Sequence, residues 1–144
     1  MKKLLIMSVL IVFSVSSMSS NLAENQNKRS HEKNLPGIKK VEVYYFHNAR
    51  RCATCQAVED VTKKSLKELY PEMIKAGQIV YKSLDIENDN NKTLVKKYKV
   101  SGQTLLFVTN SKKVNLTNDA FMYARNNPDK LKAKIQKTVD KIMN

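Results

Sequence analysis

Tryptophan is absent from this 144-residue chain, and cysteine and histidine occur only twice each. Two cysteines cannot build a disulfide framework. They stand together as Cys52-Ala53-Thr54-Cys55, so within the chain each has only the other as a partner. The two histidines, His31 and His47, are too few and too scattered to complete a closed tetrahedral zinc site around that pair. Glycine and proline number three each. No phosphate loop, hydrolase triad or nicotinamide or flavin fingerprint is present, so no cofactor is expected. Acidic residues are the scarce charge, with 13 Asp and Glu against 26 Lys and Arg and a formal net charge of +13. That excess favours acidic surfaces, whether partner proteins, lipid headgroups or polyanions. The lysines are spread along the chain without interleaved aromatics or a nucleic-acid motif, which reads as a solvated basic surface and no nucleic-acid partner.

Long hydrophobic runs are also scarce. The one candidate, Leu4 to Val15, follows the basic start Met1-Lys2-Lys3 and leads into Ser16, Ser17, Ser19 and Ser20. A charged start, a short apolar stretch and a small-residue exit form a secretory signal peptide over residues 1–20. The run is shorter than the roughly 20 residues a membrane span needs; an uncleaved anchor would keep the protein near a membrane. No cysteine follows it to carry a lipid. The expected location is therefore extracytoplasmic, periplasmic or secreted, where disulfides form and persist. Residues 21–39 are polar, with Pro36-Gly37 near their end, and read as a tether.

The globular domain is expected over residues 40–144. Val41 to Phe46 is a nearly unbroken apolar run, the mark of a central strand covered on both faces. After a loop from His47 to Arg51, a helix is expected from about Cys52 to Ala76. Its apolar stripe takes in Ala53, Ala57, Val58, Val61, Leu66, Leu69, Met73 and Ile74, Pro71 kinks or splits it, and Gly77 ends it. A second strand covers Gln78 to Leu84. A helix capped near Asn88, Asp89 or Asn90 runs through Leu94, Val95 and Tyr98. Thr104 to Thr109 is a third strand, Asn110-Ser111 a tight turn and Lys112 to Leu116 an antiparallel fourth strand. A short helix covers Ala120 to Ala124. The last helix is capped by Asn127, begins with Pro128 and buries Leu131, Ile135, Val139 and Ile142. Two right-handed crossovers followed by a hairpin give an α/β three-layer sandwich, a mixed four-stranded sheet flanked by helices.

Cys52 and Cys55 lie at the strand-to-helix junction, the geometry of a dithiol/disulfide couple. Unpaired backbone N–H groups and the positive end of the helix dipole favour a thiolate at Cys52, and Arg50 and Arg51 add positive charge beside it. Cys52 is then the attacking sulfur. Cys55, one turn inward, resolves the mixed disulfide with a redox partner protein or small thiol. A stabilised thiolate also favours the reduced form and pushes the couple toward the oxidising end. A merely structural disulfide is poorly placed here, since so short a loop contributes roughly 2 kcal/mol, against about 4.7 for a 100-residue loop. Two neighbouring thiolates also suit a soft ion such as arsenite, copper(I) or zinc, so a metal or metalloid binding protein is the rival reading. An adaptor docking through its basic surface is a third. His47 could tune a cysteine or hold a local hydrogen bond. Asp85 and Glu87 read as a solvated turn.

The element order, with the dithiol directly after the first strand, resembles the thioredoxin fold over about residues 40–143. Tyr81 to Asn88 looks like its second strand and acidic turn, and Lys97-Tyr98-Lys99-Val100-Ser101-Gly102 like the approach to its third. More narrowly, Tyr45-Phe46-His47, Arg51 to Cys55, and Gly102-Gln103-Thr104 resemble a family of exported thioredoxin-like proteins, the nitroreductase subunits associated with arsenic-resistance operons. That resemblance implies redox chemistry at Cys52 and Cys55 and a substrate groove bordered by Gln103 and Thr104. The chain departs from thioredoxins in three places. It has Arg50-Arg51 where they carry tryptophan, no acid within Tyr44-Tyr45-Phe46, and Gln103 where they carry a cis-proline. A non-proline cis bond costs about 2.5–4 kcal/mol, so a trans peptide is expected there.

Overall fold

A computed structural model describes residues 39–144. The signal peptide expected over 1–20 and the tether expected over 21–39, with His31 and Pro36-Gly37, lie outside the described residues except for Lys39. Among the described residues no helix is long and apolar enough to cross a membrane.

Strand β1 (Val41–His47) is central because it has no polar face to offer water. Val41, Val43 and Tyr45 turn to one side of the sheet, Tyr44 and Phe46 to the other, and all five are buried. The sheet order is β2-β1-β3-β4, with β2 (Ile79–Asp85) parallel to β1. Strand β3 (Thr104–Val108) runs antiparallel to β1, and β4 (Lys113–Asn115) antiparallel to β3. Only the first connection is thus a parallel crossover. The second brings the chain back reversed, where the sequence reading had two crossovers alike.

Helix α1 (Ala53–Leu69) ends at Tyr70, and α2 (Pro71–Lys75) restarts with proline in its first turn, so Pro71 splits the expected long helix in two. Gly77, at φ 71°, makes the left-handed turn into β2. The buried face of α1 differs from the expected stripe. Ala53 is exposed, while Glu59, Thr62 and Ser65 are buried beside Val58 and Leu66. Helix periodicity counted only apolar residues, whereas this face holds a paired acid and two small polar side chains.

A short 3-10 turn over Asp89–Asn91, capped by the Asn88 side chain, leads into α3 (Lys92–Tyr98). On one face of the sheet α3 packs alone, around Tyr44, Phe46, Tyr98 and Leu106. Helices α1, α2, α4 (Thr117–Tyr123) and α5 (Pro128–Met143) form the larger core on the other face. There Leu131, Ile135, Val139 and Ile142 of α5 are all buried, as their spacing requires. The Asn127 side chain caps α5 by accepting from the Lys130 N–H at 3.0 Å. This is a thioredoxin-like α/β fold, a mixed four-stranded sheet between helical layers.

Helix α3 closes on Lys99 in the left-handed region, φ 54° and ψ 48°, a conformation that favours glycine. Lys99→Gly is expected to stabilise the domain by about 1 kcal/mol, seen as a higher denaturation midpoint at unchanged slope. A lower midpoint would show that the lysine side chain contributes more than its backbone costs.

Candidate functional site: the dithiol at the end of the first strand

Parallel β1 and β2 carry the chain to the same end of the sheet, and the dithiol sits there. His47 ends β1, and its carbonyl accepts from the Ile86 N–H at 2.9 Å. The following turn is tied across to the β2 exit, because the Ala49 N–H donates to Glu87 Oε1 at 3.2 Å. Glu87 is thus more than the solvated turn its sequence suggested. It holds the loop that presents Cys52.

Cys52 is the N-cap of α1, with extended backbone angles of φ −79° and ψ 164°. Its sulfur takes the place a serine or aspartate oxygen usually fills, accepting from the Cys55 N–H at 3.3 Å. Cys52 and Cys55 form a disulfide with their Cα atoms 5.1 Å apart. The two ends are unequal. Cys52 is exposed, whereas Cys55 is 0% exposed. A helix whose N-terminal amides point at an accessible sulfur stabilises a thiolate there once the bond is reduced.

Beneath the disulfide lies a feature that sequence reasoning missed. Glu59, one helical turn beyond Cys55, is only 6% exposed and is clasped by two cations. Arg51 Nη2 pairs with its Oε2, and Lys63 Nζ approaches its Oε1 at 2.5 Å. Burial by itself would raise the Glu59 pKa. Hydrogen bonds from Lys63 and Arg51, with the Arg51 charge, outweigh that and hold the carboxyl below its ordinary value. Arg51 also lies over the Tyr45 ring, 5.8 Å from its centroid, and reaches the Cys55 carbonyl at 3.5 Å. The same carbonyl accepts from the buried Tyr45 hydroxyl at 2.9 Å. The spacing of Glu59 and Lys63 at i and i+4 was visible in the sequence; that Arg51 folds back over the first turn to join them was not.

Arg51 therefore faces inward, its charge largely answered by Glu59, while Arg50 is exposed. Tyr45→Phe removes one buried hydrogen bond to the first turn and is expected to cost about 1 kcal/mol in a denaturation experiment. His47 is part-buried, and its Nδ1 donates to the Asn48 carbonyl at 2.9 Å. Its ring lies 5.8 Å from that of Tyr45, and among the described residues no hydrogen bond joins it to either sulfur. Of its two sequence readings, the local hydrogen bond is the one this geometry contains.

Gln103 and Thr104 come to the same end of the sheet. Thr104 opens β3 opposite Phe46, and its hydroxyl donates to the Gly102 carbonyl at 3.0 Å. All described peptide bonds are trans, including the one before Gln103. Among the described residues, no group of three or more His, Cys, Asp and Glu side chains is placed to hold a metal.

No protein-family model matches the chain, and no curated protein matches its sequence. Solved structures do. Thioredoxin O2 from Arabidopsis thaliana in its oxidised state is 25% identical with a TM-score of 0.41, the match covering 52% of this chain and 59% of that one. The germline-specific thioredoxin Deadhead from Drosophila melanogaster is 20% identical with a TM-score of 0.44, covering 68% and 80%. Thioredoxin-2, a component of the malaria parasite protein secretion machinery, is 19% identical with a TM-score of 0.39, covering 53% and 66%. The chain thus spans less than two thirds of the Arabidopsis and malarial proteins.

Proposed function

We propose that this protein is an exported thiol–disulfide oxidoreductase. The observation that carries the reading is the inequality of the two cysteines: one sulfur exposed at a helix N-terminus, its partner enclosed one turn inward. In the reducing direction, the Cys52 thiolate attacks a disulfide of the partner, forms the mixed disulfide and releases one partner thiolate, which takes up a proton. Cys55 loses its proton and attacks the Cys52 sulfur, expelling the second partner thiolate. The partner has gained two electrons, and Cys52–Cys55 is the new disulfide. The oxidising direction is the reverse. The resemblance assigns Gln103 and Thr104 to the substrate groove, and glutamine in place of proline there argues against a general protein disulfide reductase.

The test is capture. Cys55→Ser leaves the attacking sulfur without its resolver, so mixed disulfides through Cys52 should accumulate under oxidising conditions and vanish with dithiothreitol. Their absence would remove the proposal. The narrower resemblance, to exported proteins of arsenic-resistance operons, adds a second ligand class. In the reduced protein two thiolates at adjacent positions suit arsenite. Arsenite should then protect both cysteines from alkylation; unprotected thiols would separate this chain from arsenic chemistry while leaving disulfide exchange standing.

A further inference from the structure

Strand β2 is an edge of the sheet. The Val41 N–H bonds to the Gln78 carbonyl and the Ile86 N–H to the His47 carbonyl, with Val41 opposite Ile79 and His47 opposite Asp85. In a parallel ladder that register turns the backbone groups of Val80 and Lys82 toward β1 and those of Ile79, Tyr81 and Ser83 outward. Among the described residues nothing bonds to this outer row. Exposed edges are usually blunted by prolines, bulges or inward charges, and β2 has none of these on its Ile79, Tyr81, Ser83 side.

Along the same edge runs a groove of about 450 Å³ between α1, α2 and β2. Its floor is apolar, made by Leu66, Ile74, Ile79 and Tyr81, and its rim is cationic, made by Lys63 and Lys67. Lys63 shares its charge with Glu59, whereas exposed Lys67 has no ion-pair partner among the described residues. A free strand edge, an apolar trough and a basic rim ask for three things of one occupant. It must offer backbone hydrogen bonds, apolar side chains at alternate positions, and negative charge. A second copy of this chain fails the last requirement, since each carries a formal charge of +13.

We infer that the β2 edge is a docking site for an extended acidic segment of a partner protein, which adds as a strand beside Ile79, Tyr81 and Ser83, sets apolar side chains against Leu66 and Ile74, and pairs its carboxylates with Lys63 and Lys67. The groove lies toward the start of β2, away from the end of the sheet that carries Cys52, so a docked partner leaves the dithiol free.

The experiment is a fluorescence-anisotropy titration of the full chain with a labelled, end-blocked peptide of Val-Thr-Glu-Thr repeats, which sets valine and glutamate on one face of a strand. The comparison peptides carry lysine in place of each glutamate or N-methyl groups at alternate residues. Saturable binding is expected for the first alone. N-methylation, which removes several ladder bonds at once, should weaken it by about tenfold or more, and Lys67→Glu, which turns an exposed attraction into a repulsion, by about threefold or more. Hydrogen exchange at the Tyr81 and Ser83 amides should slow on binding, while dithiol exchange with glutathione stays unchanged in Lys67→Glu. Absence of binding would overturn the inference, as would equal binding of the N-methylated peptide or indifference to Lys67→Glu. Occupancy by dodecanoate with no peptide bound would assign the groove to a small amphipathic anion instead and would equally overturn it.

Discussion

Cys52→Ser is expected to reduce thiol–disulfide exchange to the buffer background, measured as insulin or glutathione disulfide turnover, while leaving the domain folded. The attacking thiolate cannot be replaced by a hydroxyl, which stays protonated and is a poor nucleophile toward sulfur. The fold should survive because the four-residue loop contributes only about 2 kcal/mol by the chain-entropy argument, and a serine oxygen can still cap α1 where the sulfur now accepts from the Cys55 N–H. Cys55→Ser should also stop turnover but with covalent partners attached, and that contrast separates the two roles. If Cys52→Ser retained turnover, the exposed sulfur would not be the attacking one and the assignment of roles would be wrong.

Glu59→Ala should be as damaging as a truncation in the core, lowering stability by about 3 kcal/mol. Removing one partner of a buried pair strands the other charge, here Arg51, beneath the first turn of α1. Part of the cost is relieved because Arg51 keeps some solvent contact, which places the figure at the low end of that range. Glu59→Gln keeps the shape and loses the charge, so its cost should be smaller and pH-dependent. The Glu59 carboxyl titrates below the usual 4.5 in the folded chain. Its contribution is therefore complete above the unfolded-state value and is lost as pH falls through the folded one. The stability gap between wild type and Glu59→Gln, read from denaturation midpoints, should be widest near neutrality and close only as pH falls through the lowered folded-state value. A gap independent of pH would mean that the amide costs shape, not charge. Because Arg51 and Tyr45 both reach the Cys55 carbonyl, the redox potential of the couple should shift in Glu59→Gln as well.

Much of this protein was legible before any coordinates. The two-sided apolar run of β1 announced a central strand, and Pro71 announced the break between α1 and α2. The i, i+4 pattern through Leu131, Ile135, Val139 and Ile142 announced a helix laid on the core. These are local signals, set by side-chain period and by proline and glycine backbone limits, so a linear reading recovers them. The direction of β3 was not of this kind. Nothing local says whether a strand returns parallel or reversed after α3, and the reading of two like crossovers missed it.

The pairing of two cysteines with no other partner, at a strand-to-helix junction, followed from the sequence itself, because a short chain segment fixes their separation. Which sulfur faces solvent, and what lies beneath the other, was decided by tertiary packing. Glu59 looked like one more charge on a lysine-rich helix until the fold buried it and brought Arg51 from across the turn to neutralise it. Glu87 likewise gained its hold on Ala49 only because β1 and β2 end side by side. That β2 lies at the edge of the sheet formed by the described residues is a fact of strand order, which depends on contacts far apart in the chain. The sequence determined the elements and the dithiol, whose physics is local. Burial, charge pairing and strand neighbours depend on long-range contacts, and those the tertiary structure alone decided.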